Sequence, residues 1–163
     1  MIGDIVGSPG RDAVRTIVPQ IKKREAVDFV VANAENAAGG TGVTPRIVND
    51  LLGAGCDVLT TGDHIWRRHE VFDIIDAETR LLRPLNLPET SPGNGYYVYT
   101  SASGVAIAVV SLLGRVFIDA MTSSPFIAIR EILPVLKQKT NTILVDFHAE
   151  ATSEKIAMGW FLD

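Results

Sequence analysis

The sequence predicts an α/β layered fold with a largely parallel sheet. Three observations carry that prediction. Short apolar runs alternate with stretches of helical periodicity along the chain. The apolar runs are nearly continuous, as in strands buried on both faces. Three Ser/Thr-Pro pairs, Ser8-Pro9, Thr44-Pro45 and Ser124-Pro125, stand where helices should begin: a capping side chain precedes a proline whose missing N–H costs nothing in the first turn. A length of 163 residues suits a single domain, since domains run to about 100–200 residues.

The elements follow in order. Residues 1–6 read as the end of a buried strand that meets the polar Asp4 after three positions. Ala13, Val14, Ile17, Val18 and Ile21 recur at helical spacing, with Pro19 expected to kink or end that helix. Residues 27–32 form a second strand, leading into an Asn/Gly-rich segment. Thr44-Pro45 opens a helix with Ile47, Val48, Leu51 and Leu52 on its apolar face, closed by Gly53 and Gly55. Residues 57–61 are a third strand, ending in Gly62-Asp63-His64, and a helix is expected over 68–77. Residues 81–95, rich in Pro, Asn and Gly, read as a loop excursion. Residues 96–101 and 105–111 read as two strands joined by a turn near Ser103-Gly104. An irregular stretch over 114–124 precedes a helix bearing Ile129, Ile132, Leu133 and Leu136. A strand over 142–147 and a short helix over 153–161 complete the pattern.

Composition excludes several classes. Hydrophobic residues make up 47% and charged residues 21%, which is globular usage, not disorder. Net charge is −4, so strong nonspecific attraction to nucleic acid is not expected. No apolar run approaches the ~18 residues of a membrane helix, and no signal-peptide pattern opens the chain. The single cysteine, Cys56, fits a reducing compartment such as the cytoplasm.

The informative feature is where the polar residues fall. Four apolar strands each end in acidic, amide or imidazole side chains: Asp4; then Asn33, Glu35 and Asn36; then Asp63 and His64; then Asp146 and His148. In open α/β sheets, ligands bind beyond the carboxyl ends of the strands. Carboxylate oxygens and imidazole nitrogens gathered on one rim suit a hard or borderline divalent metal. Each residue alone has a bland reading: Asp4 could cap a turn, Glu35 could be solvated, Asp63-His64 could cap a helix, and His148 could be a hydrogen-bonded core histidine. The joint occurrence favours a metal site. Competing motifs are weaker. Gly3 to Gly10 lacks dinucleotide-loop spacing, and no Walker sequence occurs. Gly39-Gly40-Thr41-Gly42 reads as a flexible turn. Ser8, Ser111 and Cys56 lack a nucleophile's context. His69, Arg67 and Arg68 read as solvated, and Trp66, Trp160 and Phe161 as core.

Five segments together carry a family likeness. They are Ile2-Gly-Asp-Ile-Val-Gly-Ser-Pro-Gly-Arg11, Asn33-Ala-Glu-Asn-Ala-Ala-Gly-Gly40, Thr60-Thr-Gly-Asp-His-Ile-Trp66, Ser111-Leu-Leu-Gly-Arg115 and Asp146-Phe-His-Ala-Glu-Ala-Thr-Ser-Glu-Lys155. In this order the chain resembles the YmdB-like group of the calcineurin-like metallophosphoesterases, along essentially its whole length. The resemblance implies a layered α/β sandwich with mixed sheets and helices on the outer faces. It implies two divalent metal ions, iron or manganese foremost, with magnesium, zinc or calcium as alternatives.

By that resemblance Asp4 binds the first metal, Glu35 bridges both, and Asp63 and His148 bind the second. Asp63 stands where the family usually has Asn, which adds a negative charge. Asn36 would sit near the substrate phosphate, and His64 would act there as acid or charge stabiliser. The implied reaction is hydrolysis of phosphodiesters, including 2′,3′-cyclic nucleotides, by a metal-bridging hydroxide. The family continues past a segment like Gly159 to Asp163 into a further strand and a Gly-Thr-His-Thr-His motif. The expectation is therefore a single metallophosphoesterase domain over 1–163, incomplete at both ends, binding metal weakly by itself. A homo-oligomer is left open. The alternatives are a catalytically weak scaffold on the same fold and a nucleotide-binding domain without hydrolysis.

Overall fold

The computed structural model describes residues 1–101 and 104–163. The expected turn at Ser103 lies outside the described residues. Element order is α1 (Gly7–Arg24), β1 (Val31–Asn33), α2 (Pro45–Gly53), β2 (Val58–Thr60), two 3₁₀ turns (Ile65–Arg67 and His69–Asp73), β3 (Leu81–Leu82), β4 (Tyr96–Thr100), β5 (Ala106–Leu113), α3 (Pro125–Lys137), β6 (Ile143–His148) and α4 (Thr152–Leu162). None of these helices is long and apolar enough to cross a membrane.

Two sheets form rather than one. The first, β1-β2-β3, is all parallel; the second, β4-β5-β6, is mixed, with β4–β5 antiparallel and β5–β6 parallel. Side-chain alternation explains the layering. Val31, Val58 and Leu82 of the first sheet pack with Val109 of the second, alongside Tyr97, Ile107 and Leu144. The opposite face of the first sheet, through Ala32, Leu59 and Leu81, packs on Val14, Val18, Val48 and Leu51 of α1 and α2. Ala108, Val110 and Leu112 face Ile129, Leu136 and Met158 of α3 and α4. The result is a four-layer helix–sheet–sheet–helix sandwich. Each fully buried Leu or Ile in it contributes about 1.5–3 kcal/mol by leaving water.

Several expectations change in the structure. The segment before α1 makes a single parallel bridge, Ile2 to Ala32, rather than a strand. Helix α1 starts at Gly7 after Val6, so Ser8 is not its cap, and it runs through Pro19 to Arg24. Burial of Val14 and Val18 outweighs the one hydrogen bond that proline removes. The expected helix over 68–77 is a pair of 3₁₀ turns instead. Residues 81–95 contain the two-residue strand β3, whose Leu81 pairs with Leu59. These apolar pairs are too short to show periodicity.

Candidate metal centre

Each functional side chain is placed by the way its strand ends. Strand β1 finishes at Asn33, whose Oδ1 accepts a hydrogen bond from the Glu35 backbone N–H at 3.1 Å. This local turn swings Glu35 inward, where it is fully buried. Asn33 is itself fixed by donating from Nδ2 to Asp146 Oδ2 at 3.3 Å, and the Thr60 hydroxyl donates to the same oxygen. Past β2, Thr61 anchors the chain by donating from Oγ1 to the Leu82 carbonyl at 2.7 Å. Gly62 then passes so close to the site that a Cβ there would lie 2.2 Å from Glu35 Oε2 and 2.7 Å from His148 Cγ. Only glycine allows that approach, and it delivers Asp63 to the rim. His148 is the last residue of β6.

Glu35, Asp63 and His148 converge. The His148 ring lies between two carboxylates, with Nδ1 2.7 Å from Glu35 Oε1 and Nε2 3.2 Å from Asp63 Oδ1. One ligating atom from each residue lies within 4.8 Å of the others. Glu35 Oε1 is buried and, beyond its 2.7 Å contact with His148 Nδ1, has no hydrogen-bond partner among the described residues. An unsatisfied buried polar atom costs about 1–3 kcal/mol, more when charged. A divalent cation held by these three side chains would remove that cost. Two carboxylates and an imidazole are also the donor set that hard and borderline cations prefer. The residues therefore fit a metal. Burial pulls the His148 pKa down, but Glu35, Asp63 and Glu150 outweigh it and the net shift is upward.

A second chain of contacts leads outward from Asp63. His64 Nε2 lies 3.6 Å from Asp63 Oδ2. Its Nδ1 lies 2.7 Å from Asn36 Oδ1, and Asn36 Nδ2 donates to Asp4 Oδ2, also at 2.7 Å. Asp4 is exposed and stands outside the three-residue group, linked to it through Asn36 and His64.

Other candidates find structural roles. Ser111 donates to the Thr61 carbonyl at 2.8 Å and ties the two sheets together. Cys56 is buried, and burial, with Asp57 adding and Lys22 opposing, pushes its thiol up to about 11. Arg68 is not solvated as expected: it donates to the Ala38 and Thr41 carbonyls at 2.9 and 3.2 Å. It thereby pins the glycine loop, and a Cβ at Gly42 would strike its Cγ at 2.6 Å. Trp66 packs on the first core and stacks on Phe72. Trp160 is 78% exposed and Phe161 46%, so neither is a core residue. Helix α4 is about three turns long and covers the sheet through Met158.

Sequence reasoning missed the supporting residues. Thr60 reads as an ordinary β-branched strand residue and Gly62 as a turn former. Their offsets from Glu35 and Asp63 become meaningful only once the register places Asn33 opposite Thr60 and Ser111 opposite Asp146.

The YmdB-like protein family matches the chain over residues 1–163. The Bacillus subtilis 2′,3′-cyclic-nucleotide 2′-phosphodiesterase is 45% identical over 99% of this chain and 61% of its own length. A putative phosphatase/phosphodiesterase of Mycoplasma genitalium is 32% identical, over 99% of this chain and 58% of its own length. Among solved structures, a hypothetical protein of Thermus thermophilus superposes with a TM-score of 0.90 at 39% identity, covering 99% of this chain and 62% of that one. A novel phosphatase of Mycoplasma pneumoniae gives 0.88 at 32% identity, covering 99% and 58%. The chain thus spans about three fifths of the length of these relatives.

Proposed function

The chain belongs to the YmdB-like protein family, and from that premise we propose that it contributes to a two-metal phosphodiesterase. Glu35, Asp63 and His148 are ligands, Asp4 completes the first metal's side, and 2′,3′-cyclic nucleotides are the substrate class. The observation that carries this is the buried Glu35 carboxylate, one oxygen of which has no partner among the described residues beyond the His148 ring, set against ligating atoms of Asp63 and His148. The names of the relatives support the reaction class. Iron or manganese is the expected metal. The lone, buried Cys56 accords with a cytoplasmic setting.

When bound, divalent ions lower the pKa of water and neutralise charge on the phosphoryl group. The chain's own residues do the rest. Asn36 uses one amide hydrogen on Asp4, which turns its Oδ1 toward His64. The histidine then donates from Nδ1 to that oxygen, which leaves Nε2 as the ring atom facing the site. Beside Asp63, Nε2 is positioned to pass a proton to the leaving oxygen. The second amide hydrogen of Asn36 is available to a phosphate oxygen.

The test is metal content and turnover of bis-p-nitrophenyl phosphate and 2′,3′-cyclic AMP by the full natural chain. Loss of activity on chelation, restored by manganese or iron, is expected. His64→Asn should lower kcat about 10²–10⁴-fold with metal retained. Undiminished turnover by metal-stripped protein would refute the reading.

A further inference from the structure

A cleft of about 560 Å³ opens directly on Asp63. Trp66, Arg67, Pro88, Ser91, Asp119 and Met121 are among the residues that line it. Its lining comes from segments built differently. Trp66 is held by stacking on Phe72, with ring centroids 5.0 Å apart and planes 11° from parallel. Arg67 next to it is exposed, and among the described residues its guanidinium has no hydrogen-bond or ion-pair partner. Asp119 and Met121 belong to the irregular segment after β5, and that segment is pinned at both ends. Gly114 N–H donates to the His148 carbonyl at 2.7 Å. The Glu154 carboxylate accepts from the backbone N–H of Arg115 and Val116 at 3.0 Å each. At the far end, Ser123 N–H donates to the Asn86 carbonyl at 2.9 Å. Between these anchors Met121 stands 84% exposed over the cleft.

A secured loop that displays an apolar, polarizable side chain in the same cleft as an indole and an unpaired guanidinium is suited to a flat aromatic group. Methionine and tryptophan supply the faces, the guanidinium stacks on or donates to such a ring, and Asp119 can accept from a ring N–H or amino group. We propose that this cleft seats the base of a nucleotide whose phosphate lies at the Glu35–Asp63–His148 group. Met121, Arg67 and Trp66 then set the preference for nucleotides over small phosphodiesters. The proposal rests on the phosphodiesterase reading for the position of the phosphate.

Calorimetry on the metal-loaded full natural chain separates the two. Binding of 3′-AMP is compared with inorganic phosphate, and turnover of 2′,3′-cyclic AMP with bis-p-nitrophenyl phosphate. The nucleotide should bind at least tenfold more tightly than phosphate, and Met121→Ala and Arg67→Ala should each remove most of that gain. In the same variants KM for the cyclic nucleotide should rise about tenfold with kcat largely kept. Equal affinity for 3′-AMP and phosphate, or an affinity gain untouched by both variants, overturns the cleft even if turnover persists. A nucleotide-specific affinity gain without turnover upholds the cleft and defeats the hydrolase reading instead.

Discussion

The two sheets supply the site in opposite ways. Strands of the first sheet are two or three residues long and wholly buried, while those of the second have five to eight residues, and β4 and β6 are half-exposed. The first sheet provides Glu35 and Asp63, and neither lies in a strand. Both stand just past a strand end, on segments held by Asn33, Thr61 and Gly62. The second sheet provides His148 as a strand residue, fixed by ladder pairing with Leu113. A site residue within a strand inherits its position from the register. A site residue beyond the strand needs local devices, and those make the first-sheet side the more fragile half.

The most severe break of this comparison is Glu35→Ala. It removes the only fully buried member of the group, so metal affinity should fall by at least about 100-fold, the upper end of what losing even an indirect partner costs. Metal analysis after dialysis measures this, with circular dichroism checking the fold. Retention of stoichiometric metal would remove Glu35 from the centre. Next comes Gly62→Ala, which tests the local devices directly. The added methyl would lie 2.2 Å from Glu35 Oε2 and 2.7 Å from His148 Cγ, so the carboxylate and the ring must both shift to admit it. A metal-affinity loss of more than about tenfold is expected, together with the ~1–3 kcal/mol typical of overpacking. The matching substitution at exposed Gly159, whose Cβ meets nothing, should leave metal binding unchanged.

This asymmetry also explains how far the sequence could be read. The second half was the more legible: β4, β5, α3, β6 and α4 fall within a residue or two of their expected bounds, because long strands and helices repeat their pattern often enough to show it. In the first half, a three-residue strand has no periodicity, and Leu81–Leu82 reads as part of a loop. The residues at the site were visible as polar interruptions after apolar runs. The strand-end pattern alone treats Asp146 and His148 alike; only the family resemblance separates them, while in the structure each meets different partners. Asp146 is taken up by Asn33 and Thr60; His148 meets Glu35 and Asp63.

Changing pH probes the half that the second sheet supplies. The raised pKa of His148 means that the metal-free fold holds this proton more tightly than the unfolded chain. The proton therefore adds stability below the ordinary value of 6.5, and that stability is lost as pH rises through the raised value. Metal binding has the reverse dependence, because a ligating imidazole must be neutral. Affinity should fall about tenfold for each unit below the His148 pKa, by the linkage of one proton to one site. Titrations of metal binding at several pH values, paired with melting curves of the stripped protein, test both signs. His148→Gln should flatten the two profiles together; unchanged profiles would assign the dependence to another group.

The smallest effect expected belongs to Asp146→Asn, and it sharpens the comparison most. Asp146 is a strand residue of the second sheet, yet its work is done for the first. One of its oxygens accepts from both Asn33 and Thr60, and Asn33 in turn orients the Glu35 backbone. An amide in its place keeps the shape but can present an N–H toward two donors. If the substituted amide turns its oxygen inward, the charge-assisted part of the interaction is still lost. Stability should drop by about 1–2 kcal/mol, and metal affinity should weaken several-fold, short of the loss in Glu35→Ala. The KM for bis-p-nitrophenyl phosphate should stay near its original value, since Asp146 is taken up by Asn33 and Thr60 rather than by the three-residue group. A metal loss as large as that of Glu35→Ala would make Asp146 a ligand. No loss at all would mean that Glu35 holds its place without the Asn33 turn, and the first-sheet side would then be as self-supporting as the second.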